Sequence, residues 1–175
     1  MKKLIAVSGS DSGDKNLTPS ILKVAEEVGK HIAQREGILL CGGRGGVMEA
    51  AARGAKKEGG ITVGILPGSR EEANRFIDIS IPTHLGFMRN YILINAADAV
   101  IGIAGRWGTL NEISLAMNIG KPTILIKNSG GWIDILSKEK LLKNFTPKPY
   151  ITHSAKEAVE LAFNLIKREN ISPSR

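Results

Sequence analysis

The chain has few of the residues that cross-link proteins or bind metals. Its 175 residues include one cysteine, Cys41, and three histidines. A single cysteine excludes an internal disulfide framework and is typical of a reducing compartment. The histidines are isolated and lack the spacing of metal ligands, so we predict no metal site.

Long apolar runs are also missing. No segment approaches the ~20 apolar residues of a membrane span. The apolar run after Lys2 and Lys3 has four residues. The core of a signal peptide needs roughly 7–15. We therefore expect a cytoplasmic protein with no membrane partner.

Several common catalytic motifs are absent. There is no Walker lysine motif, no G-x-G-x-x-G fingerprint with an acidic residue about 20 positions later, and no G-x-S-x-G nucleophile elbow. Nucleic acid is not predicted as the main partner despite a net charge of +7. The basic residues are dispersed among acids, and none of the few aromatic residues lies within a basic run. Net charge alone indicates only solubility and weak association.

Short apolar segments alternate with segments of helical period along the whole chain. This alternation predicts an α/β fold, a doubly wound Rossmann-like domain with a mostly parallel sheet of six or seven strands. Residues 1–170 form a single predicted domain, and residues 171–175 a frayed polar tail. In such sheets ligands bind at the carboxyl ends of the strands, near the point where strand order reverses.

The most informative stretch runs from Ala99 to Glu112. An apolar strand ends in a glycine turn with Gly105 and Gly108, and Thr109 with Glu112 forms a predicted capping box that opens a helix. The free amides of such a helix end bind anions. Glycine turns follow two other strands and reach the same edge. The predicted phosphate-binding residues of the three turns are Gly9, Ser10, Gly42, Gly43, Gly45, Gly46, Gly105, Arg106, Gly108 and Thr109.

Two ionisable residues are predicted to reach this edge. Glu112 lies in the first turn of the helix after the central strand, and Arg89 in the first turn of the helix before it. A cation at a helix N-terminus is unfavourable, so Arg89 needs an anionic partner. That partner is either Glu112, in a structural ion pair, or a ligand phosphate. Glu112 is equally well explained as a capping residue.

These residues resemble the superfamily of LONELY GUY (LOG) phosphoribohydrolases, also called lysine-decarboxylase-like. The family pattern P-G-G-x-G-T-x-x-E matches Ala104-Gly-Arg-Trp-Gly-Thr-Leu-Asn-Glu112, and its arginine matches Met88-Arg89, which adds Met88 to the predicted binding residues. The resemblance implies that Arg89 and Glu112 are a catalytic pair, that Gly105, Gly108 and Thr109 hold a 5′-phosphate, and that the protein is a homodimer. Ala104 and Arg106 depart from the family's proline and glycine. Arg106 either adds a phosphate contact or narrows the pocket.

Within the superfamily, Gly45-Gly-Val-Met-Glu-Ala50 and Gly64-Ile-Leu-Pro-Gly68 are more similar to the molybdenum-cofactor-carrier branch. The first hypothesis is a hydrolase that splits a nucleoside 5′-monophosphate into base and ribose 5-phosphate and requires no cofactor. The alternative is a carrier that binds a pterin-molybdenum cofactor or a nucleotide without cleaving it. Binding of single-stranded DNA is a third hypothesis.

Overall fold

The computed structural model describes residues 1–138 and 140–171. It contains seven strands and six α-helices, and two further short 3-10 turns at Arg70–Glu72 and Gly86–Met88. In chain order the elements are β1 Leu4–Gly9, α1 Pro19–Gln34, β2 Ile38–Cys41, α2 Val47–Lys57, β3 Ile61–Leu66, β4 Ile79–Pro82, α3 Arg89–Ala96, β5 Ala99–Ile103, α4 Trp107–Asn118, β6 Thr123–Ile126, α5 Gly131–Leu136, β7 Tyr150–Thr152 and α6 Ala155–Ile171.

All seven strands form one parallel sheet in the order β4-β3-β2-β1-β5-β6-β7. Helices α1, α2 and α6 cover one face, and α3, α4 and α5 cover the other. The central strands are buried on both faces, which is why β5 is apolar at nearly every position. The fold class predicted from the alternating pattern is confirmed.

Local signals set several element boundaries. Thr18 caps α1, because its Oγ1 accepts a hydrogen bond from the backbone N–H of Ile21 at 3.3 Å, and Pro19 is the first helical residue, as predicted. Other predicted boundaries are wrong. The apolar run from Leu4 to Val7 predicts a strand of that length, but β1 continues to Gly9 because Ser8 and Gly9 pair with β5. The sequence predicts a short helix from about Trp132 to Leu142, but α5 ends at Leu136.

The edge of the sheet beyond β3 also differs from the prediction. The polar segment from Arg70 to Arg75 is predicted from its sequence to be helical, but it forms only a three-residue 3-10 turn. Proline predicts a strand break at Pro82, but Pro82 is the last residue of β4. Proline has no backbone N–H to donate, and an edge strand tolerates it because the backbone groups on one side of that strand face no neighbouring strand.

No helix in the described ranges is long and apolar enough to cross a membrane. Within the same ranges, no group of three or more His, Cys, Asp or Glu side chains is placed to hold a metal ion. Of the predicted frayed tail, Ile171 is the last residue of α6, and residues 172–175 lie outside the described part of the chain.

Candidate functional site

The candidate site is a cleft of about 300 Å³ at the carboxyl ends of the central strands. β1 lies between β2 and β5, so the chain leaves β1 toward one edge of the sheet and later returns through β5 toward the other. The loops after β1 and β5 therefore diverge and leave a crevice, the usual ligand site of an open parallel sheet.

The structure brings together seven of the predicted site residues. The cleft is lined by Gly9, Ser10, Arg89, Arg106, Gly108, Thr109 and Glu112. Six other predicted residues are absent from its lining, although each lies in a segment next to it: Gly42, Gly43, Gly45, Gly46, Met88 and Gly105. Met88 points outward and is mostly exposed.

Five lining residues were missed from the sequence: Asp11, Arg44, Met48, Phe87 and Trp107. Each is adjacent to, or within a few positions of, a predicted site residue, so proximity along the chain was the available signal. The contact between Arg44 Nε and Asp11 Oδ2, at 3.1 Å, joins two different loops and has no local pattern.

The N-terminus of α4 corrects the predicted capping box. The helix begins at Trp107 with Arg106 as the N-cap residue, and no side chain caps it. Thr109 is already the third helical residue, and its side chain packs over Gly105, where a Cβ would lie 2.4 Å from Thr109 Cβ. Glu112 thus lies in the second turn, beyond the reach of a capping residue. The first-turn amides at Gly108 and Thr109 border the cleft, and no side chain of the described residues caps them.

Glu112 and Arg89 form a buried pair at the base of the cleft. Arg89 is 9% exposed and Glu112 is 6% exposed. Arg89 Nη1 lies 3.2 Å from Glu112 Oε1. The hydroxyl of Ser8 donates a hydrogen bond to the other oxygen, Oε2. Burial raises the pKa of Glu112 above its ordinary value, while the Arg89 charge and the Ser8 hydrogen bond act to lower that pKa.

Arg89 is incompletely bonded. Its Nε and Nη1 atoms are buried and have no hydrogen-bond partner among the described residues, since the approach of Nη1 to Glu112 lacks hydrogen-bond geometry. Buried donors without partners are rare in native proteins and are costly. The arrangement is therefore that of a guanidinium with capacity for a further anionic or carbonyl partner.

Gly42 makes room for that guanidinium. A Cβ at this position would lie 2.5 Å from Arg89 Nη2 and 2.7 Å from Met48 Sδ. Gly42 thus serves the site by close approach to Arg89, whereas Arg44 of the same turn lines the cleft.

A second buried carboxylate supports the turn after β5. The Ser10 hydroxyl donates to Asp14 Oδ2 at 2.6 Å and accepts from the backbone N–H of Gly105 at 2.9 Å. The Ser10 hydrogen bond is the main cause that holds the pKa of Asp14 below its ordinary value. Arg106 Nη1 donates to the carbonyl of Gly13 at 3.3 Å, which ties the same two loops together.

Ala104 gives this turn a backbone that proline cannot adopt. Ala104 has φ +55° and Gly105 has φ +104°. Proline is confined to φ near −65°. Ala104, which stands where the LOG pattern has proline, therefore gives the start of the turn a different backbone path.

Comparisons with known proteins identify the family of the chain and support its fold. The profile of the SLOG cluster4 family (LDcluster4) matches residues 2–159. The structure of the molybdenum cofactor binding protein from Rippkaea orientalis is similar with a TM-score of 0.85 and 38% identity, covering 95% of this chain and 98% of that one. The molybdenum cofactor carrier protein of Chlamydomonas reinhardtii is similar with a TM-score of 0.81 and 30% identity, over 95% and 99%. A cytokinin riboside 5′-monophosphate phosphoribohydrolase of Mycobacterium tuberculosis is 35% identical over 61% of this chain and 62% of its own length.

Proposed function

The chain belongs to the SLOG cluster4 family, and from that premise we propose that its cleft binds a small phosphorylated ligand and hydrolyses the N-glycosidic bond of a nucleoside 5′-monophosphate. The observation that carries the proposal is Arg89, a buried guanidinium whose Nε and Nη1 have no hydrogen-bond partner within the described ranges. It lies in the same cleft as the uncapped N-terminus of α4 and next to a carboxylate of raised pKa. Perturbed ionisable groups in a cleft are a frequent mark of catalytic sites.

The phosphate is proposed to bind at the start of α4. The amides of Gly108 and Thr109 supply N–H donors, and the helix dipole adds a positive potential. Arg106 lies beside them with an exposed side chain.

The proposed reaction breaks the bond between C1′ of the ribose and a ring nitrogen of the base. Water adds its oxygen to C1′, and its protons are shared between the new hydroxyl and the departing base, so the products are the free base and ribose 5-phosphate. The transition state is cationic at C1′, as in glycoside hydrolysis. Glu112 as a carboxylate stabilises that charge or accepts a proton from water. Arg89 orients Glu112 and neutralises charge on the phosphate.

The name of the mycobacterial relative supports this reaction, but the match spans 62% of its length. The proposal therefore takes over the reaction class and leaves the base unspecified. Homodimerisation, which the LOG resemblance implies, is part of the same proposal.

The second candidate function is carriage of a pterin-molybdenum cofactor, because the similarity to the Rippkaea protein extends over nearly the whole length of both chains. The residues present fit the phosphate end of such a cargo through the open N-terminus of α4 and Arg106 beside it. Cys41, the single thiol of the chain, is fully buried, and burial raises its pKa to about 11. Because Cys41 is buried, the residues that would hold the cofactor are Arg106, Gly108 and Thr109.

Incubation with a panel of nucleoside monophosphates separates the two candidates. The purified protein is mixed with AMP, GMP, CMP and UMP, and ribose 5-phosphate is measured by mass spectrometry, as are small molecules that co-purify. Release of ribose 5-phosphate from any member is the expected result. Binding of a phosphorylated ligand with no release would support the carrier, and neither binding nor release would contradict both.

Gly42→Ala is expected to weaken ligand binding at least ~10-fold, because the new methyl group displaces the Arg89 guanidinium. The measurement is calorimetric titration with AMP. Gly13→Ala is a matched control in the adjacent loop, since a Cβ there meets nothing within 4 Å. Unchanged affinity in Gly42→Ala would show that the position of Arg89 does not matter for the ligand.

A further inference from the structure

Two exposed aromatic side chains lie at the mouth of the cleft. The chain has only four phenylalanines, two tryptophans and two tyrosines. Phe87, which is 81% exposed, and Trp107, which is 72% exposed, both line the cleft. Large apolar side chains left in water forgo the free energy of burial. Their position at the cleft leaves both aromatic faces available to a ligand bound there.

Both rings lie beside the helix end that the phosphate would occupy. Trp107 is the first residue of α4 and precedes Gly108. Phe87 reaches the same glycine, because a Cβ at Gly108 would lie 3.9 Å from Phe87 Cε1. A ligand held at Gly108 by its phosphate has both aromatic side chains within reach of its other end.

Trp107 is supported by a second indole. Its ring centroid lies 5.0 Å from that of Trp132, with an interplanar angle of 53°. Trp132 is partly buried. This contact restrains the Trp107 ring while most of the ring stays exposed, and a restrained ring loses less conformational freedom when it stacks on a ligand.

We propose that Phe87 and Trp107 form a stacking surface for a planar heteroaromatic ring of purine or pterin type. This inference rests on the proposed function, because it takes the phosphate of the same ligand to lie at α4. Each ring-bearing phosphate ester is then held at two points. After cleavage the free base keeps only the stacking contact and ribose 5-phosphate keeps only the phosphate contact, so both products bind more weakly than the substrate and leave.

The test compares a ring-bearing ligand with a ring-free one. Carbocyclic GMP is the first probe: guanine has the 2-amino-4-oxopyrimidine ring of pterins, and without the ribose ring oxygen its C–N bond resists hydrolysis. Ribose 5-phosphate is the second. Phe87→Leu and Trp107→Leu retain apolar bulk and remove the aromatic face. Phe145→Leu is the matched control, because Phe145 is also exposed but lies outside the cleft lining.

Calorimetry should show that the unaltered protein binds carbocyclic GMP at least ~10-fold more tightly than ribose 5-phosphate, and that each cleft variant loses roughly 5- to 50-fold for carbocyclic GMP alone. The Phe145 variant should bind both probes normally. Equal affinity for the two probes, with no effect of either cleft variant, would overturn the stacking surface and leave the phosphate site standing. Failure of the unaltered protein to bind either probe would overturn the stacking surface together with the proposed function.

Discussion

Glu112→Gln should reduce ribose 5-phosphate release by at least ~10³-fold while ligand affinity changes much less. Glutamine keeps the size of the side chain and its hydrogen bond from Ser8. It loses the negative charge that would stabilise a cationic C1′ or accept a proton from water. The contacts to the phosphate at Gly108 and Thr109 lie one helical turn away and are retained. The measurement is the rate of release at saturating nucleotide, set beside calorimetric affinity.

The pH profile provides a second measurement on the same variant. Burial raises the pKa of Glu112 above its ordinary 4.5. If the carboxylate is the active form, release by the unaltered protein falls on the acid side at a pH above that of an ordinary glutamate. Any residual activity of Glu112→Gln should lack that acid limb.

The same shift affects stability, with a definite sign. A carboxyl group whose pKa is higher in the folded state binds more protons there than in the unfolded state. The free energy of unfolding therefore declines as pH rises from 4.5 through the folded-state pKa of Glu112. This contribution should be absent in Glu112→Gln.

Glu58→Gln is the matched control for the variant, because Glu58 is exposed after the end of α2. A Glu112→Gln protein with the normal rate of release would show that another group reacts. Loss of affinity equal to the loss of rate would limit Glu112 to holding Arg89.

Elements with local signals could be predicted well from the sequence. The start of α1 at Thr18-Pro19 and the strand Thr123–Ile126 agree with what their local sequence predicts. The predicted start of α4 was wrong because tertiary contacts determine where this helix begins. The Ser10 hydroxyl accepts a hydrogen bond from the Gly105 amide and Trp132 packs on Trp107, and the helix begins at Trp107, two residues before Thr109. These partners are distant in sequence and leave no local pattern.

The position of the candidate site could be predicted from the sequence, but several contacts between its residues could not. Glycine turns after parallel strands must meet at one edge of the sheet, so the cleft and the pairing of Arg89 with Glu112 could be anticipated. The bond from Ser8 to Glu112 spans 104 positions. The close approach of Gly42 to Arg89 depends on the packing of two side chains. Neither follows from propensity or spacing.

Arg89→Met should abolish ligand binding and also lower the free energy of unfolding at neutral pH by about 3–5 kcal/mol. Removing one partner of a buried pair leaves the carboxylate of Glu112 without its compensating charge. Without the Arg89 charge the pKa of Glu112 should rise further, so the carboxyl group protonates more readily. The destabilisation relative to the unaltered protein should therefore shrink as pH is lowered, and denaturant unfolding at several pH values measures it.

The double variant Arg89→Met with Glu112→Leu decides whether the pair serves the fold or the ligand. Buried ion pairs replaced together by apolar residues of similar volume are often as stable as the original. Two nitrogens of Arg89 lack a hydrogen-bond partner in the described part of the chain, so the pair contributes less to stability than a fully satisfied one. The double variant should thus regain most of the stability lost in Arg89→Met and still fail to bind AMP. A double variant as unstable as Arg89→Met would assign the pair to the fold, whereas recovered stability without binding means that an incompletely bonded arginine is maintained in the core for its ligand.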